Sequence, residues 1–239
     1  MQETVSPPAV PAAHRESLWP ARLAIVAIIV LQLLLNERLT AGPNWLLPGL
    51  EVLLLVPLTA LRSAQRRGLH HYGRLVLRGG RKLPSHGVSR MFAFLLVGLI
   101  NVANLFALWQ LLRSLLHGGN KATGEGLLID ALDIWATNAI VYALAYWELD
   151  RGGPLRRGTG REGRTDFLFP PMTAPDLMPA GWRPSFVDYL FLSFTNATAF
   201  SPTDTLPLTG RVKWLMMAQA ATSLLTIALI ASRAVNILA

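Results

Sequence analysis

Apolar residues in this chain come in blocks of about fifteen or more, a grouping that strands and surface helices of a water-soluble domain do not use. Apolar types make up 52% of the residues and charged types only 15%, so an integral membrane protein is the class that fits. Six hydrophobic segments are predicted, at residues 21–35, 45–61, 91–116, about 126–147, 186–200, and a long last one that follows a turn at 201–204. The fold class read from them is all-α: a polytopic transmembrane helix bundle of five full spans plus one short or re-entrant helix. Fifteen residues of helix at 1.5 Å rise cover only ~22 Å, about right for a half-membrane helix.

The first two segments form a helical hairpin around an Ala-Gly-Pro turn, with Pro48 in the first turn of the second helix and Pro57 expected to kink it. The domain reading is a disordered tail over 1–19, a four-helix region over 20–148 with a basic loop at 62–90, a Gly/Pro/Arg-rich linker over 149–184, and a C-terminal module over 185–239. In the linker, Phe167-Leu168-Phe169-Pro170 is an aromatic patch expected to dock at the membrane interface or on a neighbouring helix.

Orientation follows from the arginines. Segment 62–90 holds eight Lys/Arg and no acid and segment 151–183 holds six more, whereas the two intervening short loops hold one each. Both basic segments, and with them the N-terminus, are expected on the cytoplasmic side of the membrane. The net charge of +8 is then chiefly an orientation signal, with anionic lipid head groups at the basic loops as its partners. No folded basic domain exists to bind nucleic acid. The absence of cysteine excludes disulfides and thiolate chemistry, and no nucleotide-binding, zinc-hydrolase or serine-hydrolase motif occurs. No enzyme activity, cofactor or metal is expected.

Charged and polar residues inside the spans each need a partner. Asp130 and Asp133 lie one turn apart near the start of the fourth segment, on the membrane side where Arg113 ends the third, so a pair between Arg113 and either aspartate is predicted; the alternative is that the carboxylates hold a proton or a cation. Asn101, Asn104 and Asn138 are expected to bond across the same helix pair, Glu51 to snorkel, and Asp188 to cap the short helix. In the last helix Gln219, Ser223, Thr226 and Arg233 fall on one face, either lining a conduit or packing as glue.

The run from Asp188 to Thr198 (Asp-Tyr-Leu-Phe-Leu-Ser-Phe-Thr-Asn-Ala-Thr), with Asp204 closing the turn and Arg211 opening the next helix, resembles the pore region of the potassium-channel superfamily over about a fifth of the chain. With the Tyr-Trp-Glu end of the fourth segment and the Gly-rich linker, the chain also resembles an uncharacterised family of bacterial integral-membrane proteins with a channel-like C-terminal region. The resemblance implies a location in a bacterial inner membrane, with a pore helix, a filter-like loop and an inner helix. The positions matching the filter are Ala199, Phe200, Ser201, Pro202 and Thr203, and neither filter glycine is present. Such a site is expected to pass cations with weak selectivity, lined by Thr198, Ser201, Thr203 and a ring of Asp204 carboxylates, in a homo-oligomer that is a tetramer if it is a channel. No voltage sensor is expected, because no span carries arginine at every third position. The alternative function is a non-conducting structural or partner-binding membrane protein that retains the pore-like fold. One conflict stays open: a potassium-type pore loop enters from outside, whereas the loop before residue 186 reads as cytoplasmic. The short helix is a sixth span, or re-entrant from the cytoplasmic side, or the basic loops are external.

Overall fold

The computed structural model describes residues 16–43, 45–66, 85–116, 124–157, 159, 162–179, 181–198 and 205–238. Its helices are α1 (Trp19–Leu34), α2 (Leu46–Arg66), α3 (Ser85–Leu116), α4 (Gly124–Leu149), the one-turn α5 (Pro170–Thr173), α6 (Phe186–Thr198) and α7 (Gly210–Leu238). Four stretches are long and apolar enough to cross a membrane: Leu46–Gln65, Gly87–Leu115, Glu125–Gly152 and Gly210–Ser232. The expectation of five full spans is thus met by four helices of full length, since α1 has 16 residues and is shorter than the rest. Strict all-α character needs a correction too. Phe167–Leu168 (β1) and Leu206–Pro207 (β2) pair antiparallel, Phe167 opposite Pro207 and Leu168 opposite Leu206. Two-residue strands come from tertiary pairing and have no sequence period to betray them.

Helix α4 is the axis. Of its apolar window 61% is buried, against 22% for α2 and α7, and all residues from Val141 to Glu148 are buried. A helix apolar on every side belongs inside a bundle, and Ala131, Ala139, Ala143 and Ala145 let its neighbours approach closely. Two core clusters lie along it. One gathers Leu18, Ile25, Leu96, Tyr146, Trp147, Phe167 and Tyr189 toward the C-terminal end of α4, and the other joins Leu35, Leu39, Leu108 and Leu111 to Leu127 and Ile134 toward its N-terminal end.

Polar contacts fix the direction of each helix. At one end of α1, Trp147 donates from Nε1 to Glu16 at 2.5 Å, and at the other Asn36 donates its backbone N–H to Asp130 at 3.3 Å. So α1 runs antiparallel to α4. Helix α2 meets Gln32 through Glu51 and meets Glu148 through Arg62, so it runs parallel to α4 and passes through Pro57 without ending. Helix α3 has Ser89 beside Gln65 near its start and Leu111 in the second cluster near its end, antiparallel again. The ends of both basic segments that are described, at Arg62, Arg90 and Arg151 to Arg183, therefore gather at the C-terminal end of α4, with Glu16.

The outward faces are apolar. Leu23, Val30, Leu53, Val56, Val102, Trp109, Phe191, Trp214 and Leu224 are all exposed, a surface fit for lipid contact and costly in water. The segment between α4 and α6 is no loose tether. Asp150 and Phe167 are fully buried, and Phe169 packs edge-on against Tyr189 with ring centroids 5.2 Å apart, so the aromatic patch docks on a neighbouring helix.

The Arg62–Glu148 ion pair, buried beside Trp147, joins α2 to α4. Removing one partner strands the other charge. Glu148→Ala should destabilise the protein by about 3–5 kcal/mol, and the double change Arg62→Met with Glu148→Leu should recover most of that loss, as measured by thermal unfolding in detergent micelles.

Candidate functional site

Helix α6 starts at a cap built by its own sequence. Asp188 accepts from the backbone N–H of Ser185 at 2.7 Å and from its hydroxyl at 2.8 Å, as expected for a carboxylate in the first turn. Phe186, Tyr189, Leu192, Ser193 and Ala197 recur at three- and four-residue intervals and are buried, while Val187, Phe191 and Phe194 face outward. Near the start of the helix, Phe186 lies edge-on to Trp147 at 5.7 Å and the Tyr189 hydroxyl donates to Asp150 at 2.6 Å. Further along, Ser193 donates to the carbonyl of Ala139 at 2.6 Å and Trp135 donates from Nε1 to the carbonyl of Ala197 at 3.2 Å. The helix thus descends α4 antiparallel for its 13 residues, a rise of ~20 Å, and stops part-way.

The chain then comes back. Leu206 is paired with Leu168 in the ribbon, and the N–H of Leu208 donates to the carbonyl of Asp166 at 2.8 Å. Asp166 in turn donates its N–H to Asp150 at 2.8 Å, and its carboxylate accepts from Thr209 and from Arg211. Ser185 and Leu206 therefore sit at the same end of the bundle, the end that carries the arginines. Of the three expectations for this segment, a sixth crossing of the bundle is excluded: α6 enters, and the chain returns, on one side. Helix α7 then makes its own descent from Arg211 to Leu229 and Ile230, which pack on the second core cluster.

One carboxamide joins the three helices. Gln219 of α7 is completely buried; its Oε1 accepts from the Tyr146 hydroxyl at 2.5 Å and from Asn196 Nδ2 at 2.8 Å, and its Nε2 donates to the Ser193 carbonyl at 3.0 Å and hydroxyl at 2.7 Å. A primary amide has two donors and two acceptor lone pairs, and here all four are used. Asn196 also donates to the Met216 carbonyl at 3.1 Å. Four residues on, Ser223 accepts from Asn138 at 2.6 Å, and Thr226 donates to Thr222 within its own helix at 2.8 Å. Three residues of the last helix's polar face are buried within this chain: Gln219 and Thr226 are 0% exposed and Ser223 is 1%.

Thr198 ends α6, half-buried, with its hydroxyl on the carbonyl of Thr195 at 3.0 Å. Ser201, Thr203 and Asp204 lie outside the described residues, as does the side chain of Arg233. At the far end of the bundle the two aspartates of α4 have other neighbours. Among the ion pairs of the described residues none joins Arg113 to Asp130 or Asp133; Asp130 faces the turn after α1 and takes the Asn36 N–H, a donor left without a helical partner. Asp133 lines a small cavity with Gln32, Asn104 and Thr137. Asn101 bonds back to Val97 and Asn138 reaches α7, so neither links α3 to α4 by its side-chain amide as expected.

Glu51 does not snorkel. It is fully buried and accepts from Gln32 Nε2 at 2.6 Å. That pair was legible: positions 32 and 51 lie at nearly the same distance either side of the Ala41-Gly42-Pro43 turn, so an antiparallel hairpin brings them close to level. Outside the spans, burial pushes the Glu16 carboxyl above its usual 4.5, against the opposing pull of Arg157 and Trp147. Its docking is therefore fully supported below about pH 4.5 and weakens as pH rises through the raised value.

No family model, curated protein or solved structure matches the chain.

Replacing Gln219 by Leu leaves the Tyr146 hydroxyl, the Asn196 amide and the Ser193 carbonyl short of partners in an apolar interior. It should cost about 1–3 kcal/mol, and the loss should be markedly non-additive with Asn196→Leu in a double-mutant cycle read by thermal unfolding.

Proposed function

We propose that this chain is a multi-pass membrane protein of the pore-loop type, in which α6 and the turn after it form a weakly selective cation-conducting element of a homo-oligomer. In this reading α1, α2, α3, α4 and α7 cross the bilayer of a bacterial inner membrane, α6 is re-entrant, and the N-terminus and arginine-rich segments face the cytoplasm. The observation that carries it is the half-length helix held part-way down α4 by Gln219, with the chain returning to the side it came from. A helix so placed aims its C-terminal carbonyls, the negative end of its dipole, at the interior of the bundle, which favours a cation at the turn that follows. The turn supplies hydroxyls and a carboxylate in Thr198, Ser201, Thr203 and Asp204 and no glycine, hence the weak selectivity. The likeness to the potassium-channel pore region belongs to the same reading. A tetramer is the assembly that would bring four Asp204 side chains to one axis.

A second reading has its own observation. Gln219, Ser223 and Thr226 spend their polar groups inside the chain, which favours a non-conducting structural or partner-binding membrane protein that keeps the pore-like fold.

Cation flux into liposomes reconstituted with the purified protein separates the two. Conduction predicts flux above empty liposomes that falls at least tenfold in Asp204→Ala and clearly in Thr198→Ala, with folding and oligomeric state unchanged. A folded, inserted protein with no flux, or one that is monomeric in mild detergent, selects the non-conducting reading.

A further inference from the structure

Where the arginine-bearing ends of α3 and α7 meet the segment after α4, a cavity of about 440 Å³ is walled by Arg90, Arg156, Arg164 and Arg211, with Thr209 beside them. Its remaining wall is bare backbone at Gly152 and Gly163. Gly152 has φ of +82°, which favours glycine, and a Cβ on Gly163 would lie 3.2 Å from the backbone of Arg151 and Gly152. Of the four guanidiniums only Arg211 is ion-paired, to Asp166; among the described residues Arg90, Arg156 and Arg164 make no ion pair, and the neighbouring Glu148 is taken by Arg62. Nε of Arg90 is buried and has no hydrogen-bond partner, while its guanidinium lies over Phe94 at 5.4 Å.

Elsewhere at this end the chain matches cations to anions: Arg62 with Glu148, Arg157 with Glu16, Arg151 and Arg183 with Glu162. Turning three unmatched guanidiniums and a fourth toward one cavity costs repulsion that an anion would relieve. Guanidinium forks suit phosphate oxygens, which they can bind in bidentate fashion, and the volume is that of a small-ligand site. Arg90 lies one turn inside the apolar stretch that begins at Gly87, and Arg211 one residue inside the stretch that begins at Gly210, so the cavity stands at the level where apolar surface gives way to polar.

We propose that this cavity is a phosphate-binding site whose ligand is the phosphate of an anionic lipid head group. The lipid as source rests on the membrane reading above and not on conduction.

The test is the unfolding temperature of the full chain in neutral detergent micelles at fixed ionic strength, titrated separately with phosphatidylglycerol, phosphatidylcholine and inorganic phosphate. Phosphatidylglycerol should raise it saturably and phosphatidylcholine should not. The double variant R156Q/R164Q, in which both residues are exposed and no ion pair is lost, should unfold without ligand at the same temperature or a higher one, since repulsion is relieved, and need at least tenfold more phosphatidylglycerol for half the shift. R38Q, an exposed arginine at the opposite end, should behave as wild type. An equal, saturable response to inorganic phosphate that R156Q/R164Q also weakens would keep the site and assign it a soluble ligand. No response to either anion, or equal weakening by R38Q, would overturn the site, and neither outcome depends on whether the protein conducts.

Discussion

The Gln219 carboxamide is the interaction on which the C-terminal half depends. A 13-residue helix that stops inside an apolar bundle exposes its last carbonyls and carries too little apolar surface to be held by burial alone. In lipid there is no water to rescue an unpaired amide, so a polar clamp is useful only when every valence is filled. Gln219 of α7 meets that condition with partners on α4 and α6, and Trp135 satisfies the carbonyl of Ala197 at the deep end. Gln219, which in the sequence reads as part of a polar face on the last helix, fastens the half-helix to the central one.

A second set of interactions holds the entrance. Asp150 receives the Tyr189 hydroxyl and the Asp166 amide, and Asp166 receives Thr209 and Arg211, so the end of α4, the start of α6 and the start of α7 are tied through two buried carboxylates. Arg157 reaches the carbonyls of Trp147 and Asp150 at 2.7 and 3.2 Å and closes the end of α4. Together these contacts return the chain to the side from which α6 leaves. Arg62, Arg151, Arg157 and Arg183 at this end brace the fold, Arg90, Arg156 and Arg164 face the cavity between α3 and α7, and Arg211 does both.

The helices were legible because apolar blocks and breakers are local signals. The segment read at residues 21–35 is Trp19–Leu34, and the short helix read at 186–200 is Phe186–Thr198, capped by Asp188 as expected. Partners across the bundle were not. Tyr146 and Gln219 are 73 residues apart, Asn138 and Ser223 are 85, and no spacing rule links residues so distant. Arg113 was assigned the aspartates on its own side of the membrane, but the direction of a side chain on its helix decides its neighbours, and Asp130 faces the turn after α1. Glu51 shows the reverse case, where hairpin symmetry would have found Gln32 had the residue not been assigned to the interface. The pore-lining residues Ser201, Thr203 and Asp204 remain a reading of the sequence.

The central claim, that the chain enters and leaves around α6 on one side of the membrane, can be tested directly because the protein contains no cysteine. Single cysteines at Ser185, Leu208, Thr159 and Trp45, all exposed, would be labelled with a membrane-impermeant maleimide applied to one face of sealed, oriented vesicles. The account predicts that Ser185 and Leu208 react from the same face as Thr159 and from the face opposite to Trp45. Labelling of Leu208 together with Trp45, and of Ser185 with Thr159, would make residues 186–207 a crossing and contradict it.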